Sequence, residues 1–283
     1  MISFRELIKQ RITDSKSVLC VGLDTVEDRI PPAIQEQANP QFYYNQKIIE
    51  STHDLVCCYK PNLAFYLVQG AQGVDTLRET IECAHSFGVP VILDAKFGDI
   101  GHTTEFYAKT VFETLQADAV TLNPYMGIDS IASFREYEEK GLFILCFTSN
   151  LSRSDVQMQK VLSPAVTQKE IPLYLHVAER IREWNTTGNV GAVVGATAPE
   201  ELEEIREILG EEALILCPGV GAQGGDLEEI LWAGEAFHGS LIVNVSRSIL
   251  YASGDMDFAE AARREAEMFV EQTRTYFEQA KEN

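Results

Sequence analysis

Short apolar runs recur eight times along the chain, and each is only five to seven residues long. Near-continuous hydrophobicity over that length is typical of strands that are buried on both faces, as in a parallel sheet. The predicted strands are Ser17–Leu23, Leu55–Tyr59, Val89–Leu93, Asp118–Leu122, Leu142–Phe147, Val190–Gly195, Ala213–Cys217 and Ser240–Val245.

Segments with the helical spacing of apolar positions lie between these strands. Strict alternation of strand and helix over eight units favours an α/β protein of the (β/α)8 TIM-barrel class. A doubly wound open sheet is the weaker alternative. A first helix should begin at Ser3, because Ser3 and Glu6 have the spacing of a capping box. The other predicted helices are Asp75–Phe87, Thr103–Leu115, Ile128–Lys140, Leu173–Trp184, Pro199–Leu209, Leu227–Trp232 and Asp257–Lys281.

The chain of 283 residues has the length of one such barrel, so we expect a single domain over residues 1–283. Residues 151–171 interrupt the alternation, because they are polar and poor in helical pattern. We expect a loop or a small insertion there, on the barrel face where loops carry function.

The charge balance excludes several classes of protein. With 43 acidic and 23 basic residues, the net charge of −20 makes the chain a poor partner for nucleic acid. No apolar run approaches the length of a membrane span, and the N-terminus lacks the pattern of a signal peptide. The six cysteines form no C-x-x-C pair, which indicates reduced and mostly buried thiols. We therefore expect a cytoplasmic protein.

Polar residues follow almost every predicted strand. Because the carboxyl ends of barrel strands converge on one site, these residues are candidates for chemistry. They include Asp24, Lys60, Asn62, Asp94, Lys96, Asp99, Asn123, Ser149, Asn150 and Arg247.

Asp94, Lys96 and Asp99 form the most informative group. Asp94 and Lys96 are two residues apart, so their side chains share one face of a continuing strand. Unpaired charge at the end of a buried strand is costly, so the group is either catalytic or an ion-pair network that closes the barrel mouth. Lys60 has three interpretations: a ligand for a sugar hydroxyl, a salt-bridge partner or a Schiff-base lysine. Nearby aspartates disfavour the last, because they raise the pKa of a lysine.

A glycine-rich segment after the seventh strand indicates a phosphate site. Gly219, Gly221, Gly224 and Gly225 leave backbone amides accessible to an anion, and Arg247 follows the next strand. Barrels often bind phosphate after these two strands, although a glycine-rich loop alone can be only a turn. The chain has no dinucleotide or Walker loop after its first strand and no metal-ligand spacing. These patterns predict a phosphorylated small molecule bound without a metal or an organic cofactor.

Seven consecutive residues, Asp94-Ala95-Lys96-Phe97-Gly98-Asp99-Ile100, match the D-x-K-x-x-D-I motif of orotidine 5′-phosphate decarboxylases. The chain resembles the longer bacterial branch of that family over nearly the whole barrel. The resemblance implies a cofactor-free barrel that converts orotidine 5′-monophosphate (OMP) to UMP in the last step of de novo UMP synthesis. The other matching segments are Val21–Asp24, Lys60–Asn62, Thr121–Gly127, Thr148–Asn150, Val194–Thr197 and Pro218–Gly225.

The resemblance also implies a role for each candidate residue. Lys96 would donate a proton to C6 of the pyrimidine, and Asp94 would face the substrate carboxylate. Asp99 would complete a charge-alternating network with Lys60 and Lys96. Asp99 and Thr103 would reach the site of a second subunit, which implies an obligate homodimer. The implied substrate ligands are Asp24 and Lys60 for the ribose, Ser149 for the pyrimidine amide, and Gln223 and Arg247 for the phosphate.

Two positions depart from the family pattern: His102 replaces a common Asn, and Phe147 stands where the longer branch often has a basic residue. Two other functions stay open at this point. One is a metal-dependent sugar-phosphate decarboxylase or synthase of the same superfamily. The other is a catalytically silent barrel that binds nucleotide, but such a protein would not need so costly a charge cluster at Asp94, Lys96 and Asp99.

Overall fold

The computed structural model describes residues 2–162, 169–221 and 225–282. Within these residues the strands are β1 (Leu19–Gly22), β2 (Cys58–Lys60), β3 (Ile92–Phe97), β4 (Ala119–Leu122), β5 (Gly141–Phe147), β6 (Lys160–Leu162), β7 (Glu170–Pro172), β8 (Val190–Val194), β9 (Ile215–Pro218) and β10 (Leu241–Val245). The helices are α1 (Phe4–Ser15), α2 (Pro32–Gln35), α3 (Pro40–Thr52), α4 (Ala64–Leu67), α5 (Ala71–Ser86), α6 (Gly101–Lys109), α7 (Ala132–Arg135), α8 (Leu173–Trp184), α9 (Pro199–Leu209), α10 (Leu227–Ala233), α11 (Arg247–Leu250) and α12 (Phe258–Gln279).

Eight of these strands form one parallel sheet in the order β2-β1-β10-β9-β8-β5-β4-β3. Bridges from Tyr59 to Val91 and from Asn62 to Asp94 join the two end strands, so the sheet closes on itself. Helices connect successive strands around this barrel. The (β/α)8 barrel predicted from the sequence is confirmed, and the open-sheet alternative is wrong.

Burial on both faces explains why the barrel strands are so uniformly apolar. Every residue of β1, β4, β8 and β10 is buried. At the amino end of β5, Gly141 leaves room for the ring of Phe4, which meets Phe143 edge-on at 6.0 Å between ring centroids. Phe4 opens α1, where Ser3 and Glu6 form the predicted capping box. The barrel floor is therefore filled by apolar side chains.

The long helices each turn one apolar face toward the barrel. In α12, Phe258, Phe269 and Val270 are buried, whereas Glu267 and Glu271 are exposed. This division is the expected pattern for a helix at the surface of a barrel. Across the described ranges, no helix combines the length and the apolar character needed to cross a bilayer.

The helix predicted over Ile128–Lys140 is wrong in extent. A 3-10 turn occupies Gly127–Ser130, and α7 is only four residues long. Ile131 and Phe134 are buried, but the residues after Tyr137 are charged. A longer helix would therefore bury no further apolar surface, and most helical stability in proteins comes from such burial.

The segment predicted as a loop or insertion contains regular structure in its described parts, residues 151–162 and 169–171. A 3-10 turn at Leu151–Asp155 is followed by β6, which pairs antiparallel with β7. Helix α8 begins directly after β7. The segment thus leaves from the carboxyl end of β5, on the face predicted to carry function.

Candidate active site

A cavity of about 750 Å³ opens at the carboxyl ends of the barrel strands. Residues in or just after β1, β2, β3, β5, β8, β9 and β10 line it. The fold thus brings together side chains that are far apart in the sequence. Six of the residues to which the resemblance assigns a role are among them: Asp24, Lys60, Asp94, Lys96, Ser149 and Arg247.

Asp94 lies at the centre of the charged cluster. One carboxylate oxygen, Oδ2, accepts a hydrogen bond from Lys60 Nζ at 3.0 Å. The other, Oδ1, accepts from Lys96 Nζ at 2.5 Å and from Thr121 Oγ1 at 2.9 Å. Lys60 is only 3% exposed, whereas the side chain of Lys96 is 45% exposed. The carboxylate therefore joins a buried ammonium group to one that an incoming ligand can reach.

Burial disfavours the charged forms of Asp94 and Lys60, but the opposite charges beside them together have the larger effect. Desolvation raises the pKa of Asp94, yet the ammonium groups of Lys60 and Lys96 hold that pKa well below its usual range. Desolvation likewise lowers the pKa of Lys60, while the carboxylates of Asp94 and Asp24 raise it above its ordinary value. Both groups stay charged near neutral pH. A neutral Lys60, which Schiff-base chemistry requires, is not available.

The backbone of β3 is irregular where it carries the cluster. Lys96 has a φ of +52°, and the register between β3 and β4 shifts between Leu93 and Phe97. The Lys96 amide donates to Thr121 Oγ1 at 2.9 Å rather than to a strand carbonyl. Lys96 and Asp94 do meet as their spacing predicted, but the part of β3 that carries them is irregular. Such conformations are uncommon for residues other than glycine and concentrate at functional sites.

Asp24 presents an unpaired acceptor in the same cavity. Its Oδ2 accepts from Ser246 Oγ at 2.9 Å, but its buried Oδ1 has no donor among the described residues. Buried polar atoms normally have a partner, so a ligand hydroxyl can complete this site. Tyr251 and Arg29 line the same cavity, and the guanidinium of Arg29 lies over the Tyr251 ring at 3.6 Å from the ring centroid.

Arg247 and Gly219, from the predicted phosphate site, lie on the rim formed by β9 and β10. Arg247 begins α11, is exposed, and lines the cavity together with Gly219. It has no ion-pair partner in the described parts of the chain. Gly219 and Gly221 adopt positive φ values of 112° and 74°, which glycine tolerates without strain. The predicted ligand Gln223 lies outside the described residues.

Asp99 and Thr103 do not line the cavity of their own chain. Asp99 Oδ1 accepts from the amide of Ile100, which is an exposed residue. Thr103 is exposed on the first turn of α6. Their implied contacts with the site of a second subunit stay a prediction.

Three residues in or beside the cavity were not assigned a role from the sequence: Arg29 and Tyr251 line it, and Thr121 bonds to Asp94 and Lys96. Thr121 could have been found, because a polar side chain between Val120 and Leu122 in a buried strand needs a partner. Arg29 and Tyr251 gave no such signal. They are far apart in the sequence, and only the closed barrel brings them together.

A closed (β/α)8 barrel whose strand ends carry a charged cavity defines the class of barrel enzymes that bind small molecules at this face. The family model "Orotidine 5′-phosphate decarboxylase / HUMPS family" matches residues 17–264 of the chain. The chain belongs to this family. The resemblance seen in the sequence is confirmed.

Individual relatives agree with the family match. The orotidine 5′-phosphate decarboxylase of Ralstonia pickettii is 47% identical over 267 residues, which are 93% of this chain and 95% of that protein. The corresponding protein of Herpetosiphon aurantiacus is 46% identical over 269 residues, 94% of this chain and 96% of its own. Among solved structures, OMP decarboxylase of Leishmania donovani has a TM-score of 0.80 at 37% identity and covers 97% of this chain and 100% of that one. The UMP synthase of L. donovani has a TM-score of 0.81 at 38% identity; the match covers 95% of this chain but 57% of that one.

Proposed function

We propose that this protein decarboxylates OMP to UMP and CO2 in pyrimidine biosynthesis, and that it needs no metal or organic cofactor. The observation that carries the proposal is the cluster of Lys60, Asp94 and Lys96 at the centre of the cavity. The family of the chain and the names of its relatives support the same substrate.

The reaction requires a positive charge of the protein close to one carbon atom of the substrate, C6. Decarboxylation breaks the bond between C6 and the carboxylate, and the electron pair stays on C6. The ammonium group of Lys96 supplies fixed positive charge where this pair forms and then transfers a proton to C6. Asp94 orients Lys96 through its Oδ1 contact. Lys96 is reprotonated from solvent, because its side chain is half exposed in the cavity.

The remaining cavity residues bind the parts of the nucleotide that do not react. Asp24 and Lys60 bind the ribose hydroxyls, where Asp24 Oδ1 offers an unpaired acceptor. Ser149 binds the pyrimidine amide and Arg247 binds the phosphate; the family resemblance adds Gln223, which lies outside the described residues, as a second phosphate ligand. Binding energy from the phosphate, remote from C6, can be used to orient the reacting carbon.

Arg247→Ala should raise KM for OMP about 10- to 100-fold, because a charged hydrogen bond to phosphate is lost. The value of kcat should change less, because Arg247 does not touch the reacting atoms. Steady-state kinetics measure both constants. Arg78→Ala is a suitable control, since Arg78 pairs with Glu82 on the surface of α5. An unchanged KM in Arg247→Ala would place the phosphate elsewhere.

The proposed active unit is a homodimer in which Asp99 and Thr103 complete the neighbouring site. Exposed apolar side chains lie at α6, which carries Thr103, and on the segment after β4 that packs against it, and patches of this kind mark association surfaces. They are Ile100, Phe106, Tyr125, Met126 and Ile128, which are 42–87% exposed.

Mixed dimers test the shared site. Lys96→Ala and Asp99→Ala should each be inactive alone, but a mixed dimer has one site with an intact Lys96 and a partner's intact Asp99. Random mixing should therefore restore about a quarter of wild-type activity if the chains form two-fold dimers. Activity of the co-refolded mixture measures this. No recovery in a mixture shown to contain mixed dimers would contradict the shared site.

OMP labelled in the carboxylate tests the reaction itself. Each UMP formed should be matched by one labelled CO2, and saturating EDTA should leave the rate unchanged. A rate that disappears with EDTA and returns with Mg²⁺ would favour the metal-dependent sugar-phosphate enzymes instead. UMP binding without release of label would favour the silent barrel.

A further inference from the structure

Two side chains from the segment after β5 hold the strand end that carries Ser149. In residues 151–160 only Arg153 and Gln157 are half-buried, and the other eight are exposed. Both side chains reach back to Thr148, the residue before Ser149. Neither residue stood out in the sequence, where the segment is a polar stretch.

The side-chain amide of Gln157 makes two hydrogen bonds to Thr148. Its Oε1 accepts from the Thr148 backbone amide at 2.9 Å, and its Nε2 donates to Thr148 Oγ1 at 2.7 Å. The same hydroxyl donates to Asn150 Oδ1 at 2.6 Å. Thr148, Ser149 and Asn150 all line the cavity. Gln157 is therefore hydrogen-bonded directly to Thr148, which precedes Ser149, and through the Thr148 hydroxyl to Asn150, which follows it.

Arg153 links the same strand end to the neighbouring strand. Its Nη1 donates to the carbonyl of Thr148 and to Thr197 Oγ1, each at 3.2 Å. Its guanidinium lies over the buried ring of Phe147 at 4.4 Å from the centroid. Thr197 follows β8, so one side chain fixes the ends of β5 and β8 relative to each other.

This support is needed because the strand ladder stops just before Ser149. The register between β5 and β8 shifts between Leu145 and Phe147, and the last bond across it runs from the Gly195 amide to the Phe147 carbonyl. A Cβ on Gly195 would lie 2.7 Å from the Ser149 amide nitrogen, so the two backbones pack closely. The Ser149 hydroxyl has no hydrogen-bond partner in the described part of the chain.

Gln157 is itself anchored to the body of the barrel. Its carbonyl accepts from the amide of Tyr174 at 2.9 Å, in the first turn of α8. The ring of Tyr174 lies 4.5 Å from that of Phe147. The path from α8 through Gln157 to Thr148 is thus continuous.

We propose that Arg153 and Gln157 are positioning residues that place Ser149 and thereby set the preference for a uracil over a cytosine base. This inference rests on the proposed function, in which Ser149 binds the pyrimidine amide. Uracil presents N3–H as a donor and O4 as an acceptor at that edge, whereas cytosine presents N3 as an acceptor and its amino group as a donor. The Ser149 hydroxyl can donate or accept, but its backbone amide can only donate; a Ser149 held in one place therefore fits the uracil edge, whereas a Ser149 free to shift accommodates both.

Calorimetric titration of the full-length protein with UMP, CMP and ribose 5-phosphate tests the inference. Gln157→Ala and Arg153→Ala should each raise Kd for UMP about tenfold, the equivalent of one or two lost hydrogen bonds. Kd for CMP should rise less, so the ratio of Kd for CMP to Kd for UMP should fall. Ribose 5-phosphate binds only the other half of the site, and its Kd should not change.

Two further variants separate positioning from general disruption. Gln159→Ala removes an exposed amide of the same segment that, among the described residues, donates only to the Ser154 carbonyl, and all three Kd values should match wild type. Arg153→Lys keeps a donor for the Thr148 carbonyl and should recover most of the UMP affinity.

The outcomes are distinguishable. An unchanged UMP-to-CMP ratio in both alanine variants overturns the positioning role, as does an equal loss of affinity for all three ligands. Wild-type protein that binds UMP no more tightly than ribose 5-phosphate would instead overturn the assignment of Ser149. Wild-type protein that binds neither nucleotide would overturn the proposed function together with this inference.

Discussion

Lys96→Ala is expected to lower kcat for OMP by about 10⁴-fold, because it removes both the positive charge and the proton that the carbanion at C6 needs. The fold should be spared. Lys96 is half exposed, and without it Asp94 still accepts from Lys60 and Thr121. The measurements are kcat with OMP, together with the circular dichroism spectrum and thermal midpoint of the variant.

Lys109→Ala is the matched control for this change. Lys109 also belongs to the β3–α6 unit, but its ammonium group pairs with Glu105 on the surface. We expect it to keep the wild-type kcat and thermal midpoint. Turnover of Lys96→Ala within a few fold of wild type would remove Lys96 from the proton-transfer step.

Asp94→Asn should cause the largest loss of stability of any single change at the site. It leaves the ammonium group of Lys60 buried without its nearest carboxylate, and removing one partner of a buried ion pair costs about 3–5 kcal/mol in the free energy of unfolding. Lys60 is only 3% exposed, so little of its surface is open to water that could replace the lost partner. Urea unfolding measures this loss. Activity should also fall by about 10²-fold or more, because Lys96 loses the oxygen that orients it.

Two variants identify the source of this loss. Asp54→Asn breaks an exposed pair with Arg263 and should cost no more than about 1 kcal/mol. The double variant Asp94→Asn with Lys60→Met removes the unpaired charge and should regain most of the stability without regaining activity. Equal losses in Asp94→Asn and Asp54→Asn would contradict the cost assigned to the buried charge.

The barrel could be predicted because its strands are short, apolar and repeated. Runs such as Val190–Gly195 are buried on both faces, and that burial is visible in composition alone. Helix α3 was not predicted. It buries Gln41 and Asn45 among its apolar residues, and their polarity hides the helical pattern. Their side chains bond to Thr25, Phe65 and Tyr66, partners that only the folded chain supplies.

Site residues at the ends of strands could be predicted from the sequence. Residues that contact the site from a distant segment of the chain could not. Asp94 and Lys96 could be paired from their spacing, and the structure brings them together. The positive φ of Lys96 could not be foreseen, because it follows from the shifted register with β4. Arg153 and Gln157 act on Thr148 from a surface segment without apolar pattern, so their burial is a tertiary property.

The absorbance of OMP during incubation with the purified protein and EDTA is the most direct test of cofactor-free decarboxylation by this cavity. We expect the absorbance to fall to that of an equal amount of UMP, at a rate that added Mg²⁺ does not change. A protein that is folded and binds UMP, yet leaves the absorbance of OMP constant with and without Mg²⁺, would contradict the proposed function.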